Sequence, residues 1–128
     1  MGFLSRILGS GDKPKIVPEE VTDQTFREQV VESDLPVLLF VWSSTCPHCR
    51  KVAPNIAGVA NAYPDRVKVF HMNSGNAPRA ASSLNVRSVP TVILIHQGKE
   101  VERFVGFRLQ QYYQEAIEAL FPAENPET

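Results

Sequence analysis

Seven consecutive residues, Pro36-Val-Leu-Leu-Phe-Val-Trp42, carry no charged or hydrogen-bonding aliphatic side chain, and this run constrains the fold more than any other stretch. A strand with one wet face alternates apolar and polar residues. One that does not alternate is buried on both faces, like the central parallel strands of layered α/β domains. Four residues after the run comes Cys46-Pro47-His48-Cys49, and Cys49, Val52, Ala53, Ile56, Val59 and Ala60 then recur at helical spacing. A buried strand therefore leads through a short loop into a helix ending near Tyr63, and Pro54 inside it predicts a kink because it removes a helical donor.

The rest of the chain supplies the layers such a strand needs. Thr22 or Asp23 can cap a helix that places Phe26, Val30 and Val31 on one face and stops at Ser33-Asp34. Val67 to Met72 reads as a strand, and Ala77 to Leu84 as a short helix with Pro78 in its first turn. Val89 to Ile95, a turn at Gln97-Gly98-Lys99 and Glu100 to Val105 form a hairpin. A last helix from about Arg108 to Phe121 shows Leu109, Tyr112 or Tyr113, Ala116, Ile117 and Leu120 on one face. A weak edge strand over Ile16 to Val21 precedes all of these, since Pro18 is tolerable only at an edge. We expect a flexible N-terminal segment and linker over 1–15, one domain over 16–121 and a flexible tail over 122–128. The apolar start (Phe3, Leu4, Ile7, Leu8) has two readings, a docking helix or a frayed terminus.

Composition removes several classes of function. Thirteen basic against fourteen acidic side chains give a net charge of −1, which offers no field for nucleic acid or an anionic membrane. No apolar run approaches the ~20 residues that span a bilayer. Arg6 interrupts the N-terminal apolar stretch before it reaches the length of a signal-peptide core. The expectation is a soluble intracellular protein whose function resides in a site.

Both cysteines of the chain lie in the Cys46-Pro47-His48-Cys49 motif. A structural zinc site needs four ligands, and His71 and His96 fall on strand patterns without ligand spacing, so no metal is expected. A disulfide closing so small a loop removes little chain entropy, which leaves redox exchange as the chemistry of the pair. A cysteine at a helix N-terminus faces unpaired N–H groups and the positive end of the helix dipole, and both stabilise a thiolate. His48, Arg50 and Lys51 add positive or protonatable charge beside it. An imidazole inside the motif favours the reduced form over the disulfide, which makes a stronger oxidant.

Taken together, Val37 to Trp42, the Cys46–Cys49 motif, Pro54, Val89-Pro90-Thr91 standing 44 residues after Cys46, the Gln97-Gly98-Lys99 turn and Val105-Gly106 resemble the thioredoxin family over about residues 16–121. The resemblance implies an α/β thioredoxin fold, with a central mixed sheet of four to five strands flanked by about four helices. It implies that Cys46 attacks a substrate disulfide and that Cys49 resolves the mixed disulfide. Pro90 is implied to be cis and packed against the pair, with the Val89 backbone free to pair with substrate and with Val105 and Gly106 completing the rim. Trp42 is implied to support the site, or else it is simply core.

The sequence also departs from that pattern. Pro47-His48 replaces the usual Gly-Pro and is similar to the dipeptide of periplasmic Dsb-type oxidases, which carry a helical insertion and a signal peptide not evident here. A reduction potential between about −270 mV and about −120 mV is expected. Phe40 stands where the family keeps a buried acid and His71 where it keeps the partner lysine, while Thr45 replaces a tryptophan. His71 is therefore either a substitute proton carrier for Cys49 or a satisfied strand histidine. Arg87 either joins His48, Arg50 and Lys51 in a basic rim or is an ordinary solvated arginine.

The expected function is a cytoplasmic, monomeric protein-disulfide reductase without bound cofactor, re-reduced by an NADPH-dependent thioredoxin reductase and contributing to cell redox homeostasis. The alternatives are a more oxidising oxidase or isomerase, because of Pro47-His48, and a non-catalytic binding module.

Overall fold

The structure, a computed structural model, describes residues 15–122. The expectations for the apolar start, nearly all of the linker and nearly all of the tail lie outside the described residues. Five strands, β1 (Glu19–Glu20), β2 (Val37–Trp42), β3 (Lys68–Asn73), β4 (Thr91–His96) and β5 (Lys99–Val105), form one sheet in the order β1-β3-β2-β4-β5. β3 runs parallel to both β1 and β2, whereas β4 runs antiparallel to β2 and β5, so the sheet is mixed.

The unbroken apolar run of β2 is explained by two cores. Leu38 and Phe40 face Cys49, Val52, Ile56 and Val59 of helix α1 (Pro47–Ala62) and Tyr113 and Ile117 of helix α3 (Gln110–Leu120). Val37, Leu39 and Val41 face Val21, Val30, Met72 and Ala80 on the other side, where helix α2 (Pro78–Ser83) lies. Period-two alternation thus persists in space although the sequence shows none, because each face meets its own apolar layer.

Several expectations are corrected. The first helix is a five-residue π-helical segment, Arg27–Val31, preceded by a turn in which Thr22 O accepts from the N–H groups of Thr25 and Phe26. The wider i→i+5 bonding, Glu32 N–H to Arg27 O at 2.9 Å, turns Val31 off the face that buries Val30, leaving it 39% exposed. Ala53 of α1 is exposed rather than inward, and the helix continues through Pro54. Only Tyr113 and Ile117 of α3 are buried, while Leu109, Tyr112 and Leu120 remain exposed. The edge strand shrinks to two residues because the Asn61 side chain, bonding both backbone groups of Ile16, takes the chain out of the ladder before Pro18. β4 begins at Thr91, after Pro90, which has no ladder donor. The β4–β5 turn places both Gln97 (φ 55°) and Gly98 (φ 78°) in the left-handed region, as a tight mirror-image hairpin turn requires.

Asp23 does not cap its own segment. Its carboxylate accepts the backbone N–H groups of Ala80 (2.8 Å) and Arg79 (3.3 Å), and so caps α2 from 57 residues away. Asp23→Ala is expected to lower stability by about 1 kcal/mol, the usual cost of a lost helix cap, read from the urea midpoint at unchanged slope.

Candidate active site

Trp42 stands at the C-terminal end of the central strand β2, and Ser43, Ser44 and Thr45 turn the chain so that Cys46 becomes the N-cap of α1 with Pro47 in its first turn. Proline suits that position because its missing N–H is one that a helix start leaves unpaired. The Cys49 N–H donates to Cys46 Sγ at 3.2 Å, so the sulfur takes the place that a serine or aspartate oxygen holds in an ordinary cap. Cys46 and Cys49 are joined as a disulfide with their Cα atoms 5.4 Å apart. The two sulfurs are not equivalent. Cys49 is 3% exposed and belongs to the core, whereas Cys46 is only half-buried and packs against its margin.

The Val89–Pro90 peptide bond is cis, and Val89 packs against the same core cluster as Cys46. The Pro90 carbonyl accepts the Gly106 N–H at 2.8 Å, and the Thr91 hydroxyl donates to Ser88 O at 2.7 Å, so the segments 88–91 and 105–106 are held together. Val89 is half-buried and Val105 is 51% exposed, giving this ledge an apolar, accessible face. Pro47, His48, Lys51 and Arg87 are exposed, and Thr45 is exposed beside them.

A cavity of about 470 Å³ is lined by Phe40, Trp42, Cys46, Cys49, Arg50 and His71, with Val17, Pro18, Ala53 and others closing it. Ala53, expected inward, forms part of this wall. Phe40 is 5% exposed and forms its apolar floor. His71 of β3 stands beside Phe40 in register and carries the only side chain lining the cavity whose ordinary titration lies near neutral pH. Its Nδ1 accepts the indole N–H of Trp42 at 3.0 Å. Burial pushes the proton affinity of His71 down, with the Glu20 carboxylate opposing this from β1.

That shift has a definite sign. Below the ordinary histidine value the unfolded chain takes up a proton that the folded protein resists, so stability falls as pH falls through the unfolded value near 6.5. Urea midpoints from pH 8 to pH 5 are expected to decline, with a smaller decline in His71→Asn.

The structure thus brings Phe40, Trp42, Cys46, Cys49 and His71 around one cavity, and ties Pro90 to Gly106 at the ledge. The Trp42–His71 bond was not anticipated. Its signal lay in register, because residues 40 and 42 of β2 share one face and His71 pairs with Phe40 on the parallel neighbour. Among the described residues no group of three histidine, cysteine or acidic side chains is placed to hold a metal ion, and no helix is long and apolar enough to cross a membrane.

The thioredoxin family model matches residues 17–119. Thioredoxin 1 of Synechococcus elongatus is 41% identical over 90 residues, spanning 70% of this chain and 84% of that protein. Thioredoxin 1 of Nostoc sp. is 39% identical over 68% of this chain and 81% of its own length. A chloroplastic M-type thioredoxin of Chlamydomonas reinhardtii is 37% identical over 67% of this chain and 61% of its own.

Proposed function

The chain belongs to the thioredoxin family, and on that premise we propose that it works in the reducing direction, as a dithiol that opens protein disulfides. It is a thiol–disulfide oxidoreductase of the thioredoxin type. In the proposed cycle the Cys46 thiolate attacks one sulfur of a substrate disulfide and forms a mixed disulfide, releasing the first substrate thiolate. Cys49 then attacks Cys46 Sγ, the Cys46–substrate bond breaks, and the second substrate thiolate leaves. Two electrons have passed to the substrate, and Cys46–Cys49 is oxidised.

The observation that carries these roles is the unequal placement of the sulfurs: Cys46 is accessible at a helix N-terminus and hydrogen-bonded by the Cys49 N–H, while Cys49 is buried behind it. The charge-stabilised, reachable sulfur suits first attack, and the screened one suits a resolving step that only an intramolecular partner needs. An extended substrate segment would pair with the Val89 backbone beside Pro90 and rest against Val105 and Gly106. Pro47 and His48, exposed between the cysteines, tune the couple. The reading further includes a monomeric, cytoplasmic protein with no bound cofactor, re-reduced by an NADPH-dependent flavoprotein reductase and serving cell redox homeostasis.

The deciding experiment is equilibration of the Cys46–Cys49 couple in dithiothreitol or glutathione buffers, followed by thiol alkylation. A potential near about −270 mV supports the reductase. A potential near about −120 mV overturns it in favour of a protein that delivers or shuffles disulfides, with His48 governing the couple.

A further inference from the structure

The hydrogen bond between Trp42 and His71 places a constraint on the proton chemistry of the cavity. A neutral imidazole has one nitrogen that donates and one that accepts. Because Nδ1 accepts the Trp42 N–H, the proton of neutral His71 resides on Nε2. Proton uptake puts a second N–H on the ring at Nδ1, facing the indole N–H, and two donors cannot share that bond. Protonation of His71 and release of Trp42 are therefore one event.

We propose that Trp42 is a positioning residue for His71: its indole N–H fixes the tautomer of His71 and holds the ring uncharged beside the cysteine pair, forming a proton-operated latch on the wall of the cavity. The groups that face His71 are few. On β1, Glu20 pairs with it in register; on β2, its neighbours are Phe40 and Trp42; from α1, the cavity receives Cys46, Cys49 and Arg50. Glu20 is the one carboxylate in this set and favours the charged ring, while burial opposes it. The latch adds to burial in holding the ring neutral.

The consequence for the couple follows from charge. An imidazolium beside the pair stabilises a cysteine thiolate, hence the reduced form, and shifts exchange with glutathione towards dithiol. With the latch closed this contribution is absent. Acidification opens it, and the protein becomes a weaker reductant than the dithiol chemistry alone would make it. This last step rests on Cys46–Cys49 being the redox couple of the reading above, whereas the latch itself does not.

The chain has a single tryptophan, so its fluorescence reports Trp42 alone. The test is a titration of the intact oxidised protein between pH 5 and pH 8, following Trp42 emission and the His71 ring proton resonances, in the parent, Trp42→Phe and His71→Asn. Asparagine keeps an acceptor oxygen near the place of Nδ1 and cannot titrate. In the parent, emission and resonance are expected to change together with one midpoint. In His71→Asn emission is expected to be flat, and in Trp42→Phe the His71 midpoint is expected to rise by roughly half to one pH unit, the equivalent of one lost hydrogen bond to the neutral ring. An unchanged His71 midpoint in Trp42→Phe overturns the proposal, as does emission in His71→Asn that still titrates like the parent. Should Trp42→Phe not fold, the His71→Asn comparison decides alone. Since no substrate enters these titrations, a latch without reductase activity and a reductase without a latch give different results.

Discussion

Cys46→Ser is expected to lower turnover of insulin disulfide reduction by more than about 10³-fold, to the background of the assay, because a hydroxyl at this position supplies neither a thiolate nor a sulfur able to form the mixed disulfide. Cys49→Ser is expected to fail differently. Cys46 remains half-buried at the start of α1, so the first exchange proceeds, and the covalent adduct accumulates because no neighbouring thiol resolves it. Non-reducing gels of the two variants incubated with an oxidised protein substrate separate these outcomes. If the adduct forms with Cys46→Ser instead, the assignment of attacking and resolving sulfur is reversed.

The second large effect concerns the floor of the cavity. Phe40→Asp installs the acid that the family resemblance implies beneath the cysteines, and it is nevertheless expected to destabilise this protein. Phe40 is 5% exposed among Leu38, Cys49, Val52 and Val92, and the polar side chain beside it in register, His71, is engaged by Trp42 and held towards its neutral form, so a carboxylate there is poorly compensated. Deleting a buried phenyl ring costs about 4 kcal/mol, and an unpaired carboxylate adds a desolvation cost. Against a typical domain stability of about 5–15 kcal/mol, the variant should unfold at far lower urea concentration. Phe40→Leu, which keeps most of the apolar volume, should lose only about 1 kcal/mol. Equal urea midpoints for Phe40→Asp and the parent at pH 7 would show that water already reaches this position.

Much of this architecture was legible from local pattern. The run from Val37 to Trp42 announced a strand covered on both faces, and the spacing behind Cys49 announced α1, because both signals rest on the periods of regular backbone. The placement of both cysteines at the start of that helix followed directly. Features that depend on remote partners were not legible. Asp23 looked like a cap for its own segment because a capping side chain carries no mark of which helix it will serve. Val31 looked buried because apolar spacing does not distinguish the α from the π turn. Of the two tyrosines offered for the inner face of α3 it is Tyr113 that is buried, with Ile117, whereas Leu109 and Leu120, expected on that face, remain exposed. The cavity itself became visible only once β2 and β3 were paired, since nothing within either strand says that residue 71 lies beside residue 40.

The outer strand β5 has a consequence for crowding. It presents Lys99, Glu100, Glu102 and Arg103 along a ladder whose register with β4 shifts at Leu94/Ile95, and Arg103 is turned back to Glu100 and to the carbonyls of Leu84 and Asn85. A neighbouring chain seeking to extend the sheet there meets both signs of charge and an irregular row of hydrogen-bonding groups, so this margin resists the strand-by-strand templating by which exposed sheets aggregate.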